Sequence, residues 1–394
     1  MKQTIDFDRV VDQEGLDLAK YTMLDELFGT HDLLSLWVAD MDFESAPEIR
    51  DALAARTARP CYGYTFPSDE YWQSIIDWQR EQRGWTIQRE HLTFVPGVVA
   101  GISLAINALS QPGDKVVIQP PVYHPFADVT LNNGRVVLEN PLVEHPGGHF
   151  TMNLEQLEQI YATEQPRLLI LCNPHNPIGL LWDEATLREV ARLSRRYGVT
   201  VISDEIHGDL GLWGRKSVPY LTVGPDAEAT GVAIAAPSKT FNIPGLVSSW
   251  AVAVDDGLRE RFFGYLERLG INHPSFYPTI ATTTAYRRCG YWVDAMLRYV
   301  EENIRFVEEY CREHLPSIVP IRPEASFLLW LDCRKLGLEQ ARLMHLLVRQ
   351  ARVGVSDGAT YGTQGTGFVR LLVATPRPIL AEALRRITEA VANR

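Results

Sequence analysis

Short, nearly uninterrupted apolar runs recur between about residue 92 and residue 254. They cover 93–95, 115–119, 135–138, 167–172, 199–203, 232–236 and 249–254, and several are separated by stretches with helical spacing. Residues 98–109 read as a helix. So do residues 184–197, where Leu187, Val190, Ala191 and Leu193 supply a buried face and Gly198 stops the helix. A strand apolar on both faces must be covered on both. The pattern therefore predicts an α/β architecture around a mainly parallel sheet. Such sheets bind ligands beyond the carboxyl ends of their strands, which directs attention to the residues that follow each run.

At 394 residues the chain exceeds the size at which one core usually stops growing. It divides into an N-terminal segment (1–45) joining a small domain, a large domain (46–290) and a small α+β domain (291–394). The amphipathic stretch 291–314 bridges to the small domain, which holds apolar strands near 327–331 and 368–374 and a helix over 338–351. A net charge of −11 argues against non-specific nucleic-acid binding, which needs a basic stripe. The five cysteines are scattered and show no C-x-x-C spacing, so neither a disulfide framework nor a structural zinc site is expected. The start, Met1-Lys2-Gln3-Thr4-Ile5-Asp6, has no apolar core of signal-peptide length, and no run approaches a membrane span. The expected setting is the cytoplasm, with neither membrane nor nucleic acid as partner.

Three of the post-strand segments carry reactive groups. Lys239 follows the run 232–236 among small and polar residues, in Pro237-Ser238-Lys239-Thr240-Phe241-Asn242. Partial burial lowers an amine's pKa, and the neutral amine is the nucleophile that forms Schiff bases. Asp204 ends another run, in Ser203-Asp204-Glu205-Ile206-His207, and Asn176 follows a third, in Asn173-Pro174-His175-Asn176-Pro177-Ile178-Gly179. Pyridoxal phosphate needs a lysine for its aldehyde, an acid for its ring nitrogen, a phosphate cradle and a stacking face. Asp204 suits the nitrogen, and Asn176 or His207 suits the ring oxygen. Tyr123 in Pro120-Pro121-Val122-Tyr123-His124 offers an aromatic face. Gly97, Val98 and Val99 open a helix whose N–H groups can hold a phosphate, with the Ser238 hydroxyl beside it. Arg370 is a cation in the apolar run Phe368-Val369-Arg370-Leu371-Leu372, where a planar carboxylate is the fitting partner. Each residue also has an ordinary use: Asp204 as a helix N-cap, Asn176 in a turn, the histidines as structural groups, Arg370 paired with an internal acid.

Asn176-Pro177-Ile178-Gly179, Ser203-Asp204-Glu205-Ile206-His207 and Ser238-Lys239-Thr240-Phe241-Asn242 resemble the fold-type I pyridoxal-phosphate enzymes, the aspartate aminotransferase superfamily. Trp37-Val38-Ala39-Asp40-Met41-Asp42-Phe43, Tyr62-Gly63-Tyr64-Thr65 and Pro120-Pro121-Val122-Tyr123 are similar to its cystathionine β-lyase branch of C–S lyases, related to the maltose-regulon modulator protein. The resemblance implies that Lys239 is the Schiff-base lysine and catalytic base and that Asp204 partners the ring nitrogen. Asn176 and His207 lie at the ring oxygen, Tyr123 stacks on the ring, and Arg370 binds the substrate carboxylate with Asp40 and Met41 alongside. It implies a homodimer in which Tyr64, or failing that Tyr62, reaches the neighbouring subunit's phosphate. Two positions depart from the superfamily pattern. A serine three residues before the lysine is here Ala236, and an arginine eight residues after it is here Val247.

The reaction so implied is β-elimination from a sulfur-containing amino acid such as cystathionine, giving a thiol, pyruvate and ammonia. Transamination uses the same cofactor and the same residues. The other readings are a regulatory protein that keeps the fold as an interaction surface, and a hydrolase with a metal on Asp204, Glu205 and His207, which lacks a second histidine at ligand spacing.

Overall fold

The computed structural model describes residues 5–13 and 15–394, so most of the Met1–Asp6 stretch lies outside the described residues. A seven-stranded sheet organises the chain. In chain order its strands are β1 (Leu92–Val95), β2 (Lys115–Ile118), β3 (Val136–Glu139), β4 (Leu168–Cys172), β5 (Thr200–Asp204), β6 (Gly231–Ala235) and β7 (Ser249–Val252). Their order across the sheet is β1-β7-β6-β5-β4-β2-β3. The pairs from β3 through β6 are parallel. β4, β5 and β6 are buried along their whole length, as continuous apolar runs require.

β7 departs from the parallel expectation and runs antiparallel to both β6 and β1. Parallel neighbours need a crossover, usually a helix. The segment Ala236–Ser248 between β6 and β7 is only a turn around Lys239 and a short 3-10 helix, Pro244–Leu246, so the chain turns back. Helices Val98–Leu109 and Asp256–Leu269 pack in one apolar cluster with one face of the sheet. The other face joins a larger cluster that continues into the rest of the chain.

A four-stranded antiparallel sheet forms from Val319–Ile321, Leu328–Asp332, Phe368–Leu372 and Ser356–Asp357, in that order. The helix Gly290–His314 leads into it, burying Trp292, Met296, Val300, Ile304, Val307 and Cys311 along one stripe. The N-terminal segment joins this region through Leu34–Ser35, which lies parallel to Val353–Gly354. The helix expected over 338–351 is shorter. Gln340–His345 is α-helical, and Leu346–Gln350 widens into a π turn.

Candidate active site

The register of the large sheet builds the site. Cys172 pairs with Asp204, and Asp204 with Ile234. The carboxyl ends of β4, β5 and β6 are thus level, and the turns leaving them share one edge. A cavity of about 800 Å³ opens there, lined by Asn176, Asp204, His207, Lys239, Tyr123 and Arg370 among others.

Lys239 stands on the turn after β6. Its Nζ donates to the carbonyl of Ala39 at 2.6 Å and lies 3.4 Å from Asp40 Oδ1. Burial pushes its pKa down, and Asp40 and Asp204 oppose that shift. The amine is therefore easier to deprotonate than a surface lysine, as a nucleophile or base requires.

Asp204 is the last residue of β5 and is 3% exposed. Burial raises its carboxyl to about 7, Glu205 pushes the same way, and the N–H of Ile206 donates to Oδ1 at 3.0 Å. Strand, not helix, positions it, so the N-cap reading falls. His207 is buried with Nδ1 lacking a hydrogen-bond partner. Burial and the nearby charges of Lys239 and Arg370 lower it to about 3, which keeps the imidazole neutral.

Arg370 is 5% exposed in the middle of Phe368–Leu372. Its guanidinium donates to Asn176 Oδ1 at 3.1 Å, the Trp37 carbonyl at 2.8 Å and Ser356 Oγ at 3.1 Å. All three acceptors are neutral, and Nε has no partner. The internal acid that would make Arg370 a structural ion pair is absent among the described residues. A buried cation of this kind suits an anionic ligand. Tyr123 is held by its N–H donating to the Asn176 carbonyl at 3.1 Å, and burial raises its hydroxyl to about 12.

Val98 and Val99 line the cavity at the first turn of Val98–Leu109, whose opening N–H groups have no partner inside the helix. Gly97 precedes them with φ +96°, a conformation other residues rarely adopt. A Cβ built on Gly97 would lie 3.7 Å from Val247 Cγ1, so Val247 packs beside this cradle and brings no charge to it. Gly97 and Ser238 adjoin lining residues in the chain without lining the cavity themselves. Asp40 touches Lys239 but does not line the cavity either. Met41 has its side chain in the core, and Asn242 bonds both its N–H and its carbonyl at 3.1 Å. Tyr64 is fully exposed and Tyr62 largely so, on a loop that does not line the cavity.

Sequence reasoning missed the carbonyls of Ala39 and Trp37, which carry no side-chain signature. It also missed Tyr361, whose ring lies 5.3 Å from the Arg370 guanidinium. Two supporting contacts were missed as well. Lys20 donates to Asp42 at 2.5 Å and buries that charge pair under the strap that carries Ala39. Thr240, next to Lys239, donates to the buried carboxylate of Asp209 at 2.9 Å.

The residues fit pyridoxal phosphate. The orphaned His207 Nδ1 and Arg370 Nε lie on residues lining the cavity. The buried Asp204 carboxylate, raised by burial despite Lys239 nearby, suits a closer cation such as a protonated ring nitrogen, and an uncapped helix N-terminus suits a phosphate.

A model of the aminotransferase class I and II family matches residues 31–387. The chain is 38% identical over 387 residues to cystathionine β-lyase PatB of Bacillus subtilis (strain 168), covering 98% of this chain and 100% of that protein. It is 32% identical over 388 residues to the protein MalY of Escherichia coli (strain K12), covering 98% of each. The crystal structure of cystalysin from Treponema denticola, which contains a pyridoxal 5'-phosphate cofactor, matches with a TM-score of 0.95. Its identity is 27%, over 99% of this chain and 100% of that one.

Proposed function

Since this chain belongs to the class I and II aminotransferase family, we propose that its cavity carries out pyridoxal-phosphate-dependent β-elimination on a cysteine thioether such as cystathionine, giving a thiol, pyruvate and ammonia. The observation that carries the reading is the meeting of Lys239, Asp204 and an acid-free Arg370 in one cavity. The full-length similarity to PatB favours the lyase over the transaminase.

Lys239 would hold the cofactor's aldehyde, Asp204 its ring nitrogen, Asn176 and His207 its ring oxygen and Tyr123 its face. Val98, Val99, Gly97 and Ser238 would hold its phosphate. When bound, the cofactor withdraws electrons from the substrate's Cα. Arg370 binds and orients the α-carboxylate. Lys239, its amine made less basic by burial, takes the Cα proton. The Ala39 carbonyl and Asp40 hold that amine in place. Asp204, ionised opposite a cation, keeps the ring nitrogen protonated. Neutral His207 adds no charge.

The reading includes a homodimer in which Tyr64 of the partner subunit completes the phosphate site. It sets the enzyme in the cytoplasm, in keeping with five scattered cysteines. No helix among the described residues is long and apolar enough to cross a membrane.

The test is pyruvate formation from cystathionine by the cofactor-loaded protein without any added 2-oxo acid. Stoichiometric pyruvate and thiol are expected. Turnover that appears only when a 2-oxo acid is supplied would establish transamination instead. Lys239→Ala should abolish pyruvate formation and leave no cofactor that borohydride fixes to the protein. Wild-type fixation in that variant would assign the role to another lysine.

A further inference from the structure

The cavity extends past the Lys239 group onto two elements that contribute nothing to that group. One is the short helix Leu24–Phe28 with the preceding Met23; the other runs from Gln340–His345 into the π turn Leu346–Gln350. Met23, Leu27 and Phe28 form one wall of this lobe, and Met344 and Val348 the other. An α-helix continued to residue 351 would place these residues differently. The π turn brings Val348 and Arg349 to the cavity, and such turns are frequent at functional sites. The walls are tied together, since Arg349 Nη1 donates to the carbonyl of Gly29, which closes the helix Leu24–Phe28 with φ +65°. Phe28 in turn packs edge-on against Trp37, ring centroids 6.1 Å apart, and the Trp37 carbonyl accepts from Arg370. The lobe is thus continuous with the residue placed at the α-carboxylate.

Its polar groups are engaged or exposed. Asp357 accepts from Gln340 Nε2 and the N–H of Ala359. Thr360 donates to the Asp357 carbonyl. Arg349 serves Gly29, and His345 lies at the exposed rim. Both bonds to the Asp357 side chain fall on Oδ1, so the lobe holds a single half-engaged carboxylate, and the rim cations are screened by water. Met and Phe walls instead suit an apolar group of irregular shape.

We propose that this lobe is the subsite for the sulfur substituent, and that it takes an uncharged alkyl or aryl group in preference to the second amino-acid end that cystathionine carries. The inference rests on the β-elimination reading, because that reading gives the substrate a sulfur substituent to place. Burial of a benzyl-sized group corresponds to about ten- to a hundredfold in affinity. A zwitterion that leaves water for the Met and Phe walls, with only a half-engaged carboxylate to meet it, loses affinity.

The experiment uses the cofactor-loaded protein and two non-eliminating analogues, with dissociation constants from calorimetry. 2-Amino-5-phenylpentanoate mimics S-benzylcysteine, and 2,7-diaminosuberate mimics cystathionine. The phenyl analogue should bind at least about tenfold tighter, and Val348→Asp should remove most of that advantage. Equal binding, or tighter binding of the diamino acid, overturns the proposal and shows that Arg349 and His345 govern the lobe. Because the wild-type comparison stands without the variant, a misfolded Val348→Asp leaves the test decisive. Elimination is assayed separately with S-benzylcysteine, cystathionine and β-chloroalanine. Pyruvate from none of the three, with the phenyl preference intact, would overturn the lyase reading and leave the lobe's apolar selectivity standing. Pyruvate from all three with no phenyl preference would do the reverse.

Discussion

Asp204 and Arg370 owe their chemistry to burial, and burial makes them testable. A carboxyl held at about 7 in the folded protein and near 3.9 when unfolded binds its proton more tightly in the folded state. Its contribution to stability is therefore fully present below about pH 4 and is lost as pH rises through 7. His207, lowered to about 3, has the opposite sign: its contribution is present above about 6.5 and is lost as pH falls toward 3. In the cofactor-free protein, thermal melts of Asp204→Asn minus wild type isolate the first term. The difference should move in the variant's favour between pH 5 and 8 and shrink when cofactor is added, because a cation then faces the carboxylate. A difference independent of pH would show that Asp204 is ionised throughout. Arg370→Lys keeps the charge but loses the planar fork. KM for every amino-acid substrate should rise about ten- to a hundredfold, with the cofactor's absorption unchanged. Unaltered kinetics would make Arg370 a purely structural cation.

The strap from Trp37 to Asp42 carries groups that residue identities alone do not reveal. It presents Ala39 and Asp40 to Lys239 and Trp37 to Arg370, and its anchor is Lys20. The Lys20 ammonium meets Asp42 at 2.5 Å, and its carbonyl accepts from Ser35 Oγ and Trp37 Nε1. Lys20→Met leaves Asp42 buried and unpaired, a defect of about 3–5 kcal/mol. Lys20→Met with Asp42→Leu removes both charges and should recover most of that stability in denaturant unfolding. A double variant no more stable than the single one would show that packing, not the pair, holds the strap. Lys20 also shows where sequence reading stops. In Leu18-Ala19-Lys20-Tyr21 it looks like any surface lysine, and only a distant aspartate buries it. Lys239, Asp204 and Arg370 were legible because each interrupts, ends or closely follows a run whose apolar residues already imply burial. Backbone acceptors such as Ala39 have no such signature. The π turn at Leu346–Gln350 was missed because its apolar spacing fits an α-helix over 338–351 equally well. The direction of β7 depended on the shape of the Lys239 turn rather than on strand composition.

The whole molecule exposes what a single chain leaves unfinished. Tyr62, Tyr64 and Phe66 stand exposed on one loop, an aromatic patch of the kind that marks an interface. Within the chain, the proposed phosphate cradle has helix N–H groups but Ala236 and Val247 at two positions that could have carried ligands. The proposed homodimer joins the two observations, with Tyr64 of each subunit serving the other's cofactor. In a twofold dimer every site would then draw on both chains, so two defective chains should complement. Tyr64→Ala and Lys239→Ala homodimers are each expected to be strongly impaired at limiting cofactor. Refolding them together at equal amounts makes about half of the dimers mixed. Each mixed dimer holds one site with both defects and one with an intact lysine and an intact tyrosine. Pyruvate formation should therefore reach roughly a quarter of wild type, while either variant refolded alone should show no such recovery. If the mixture gives only the average of its two parents, Tyr64 acts within its own chain or not at all, and the phosphate is held without the partner.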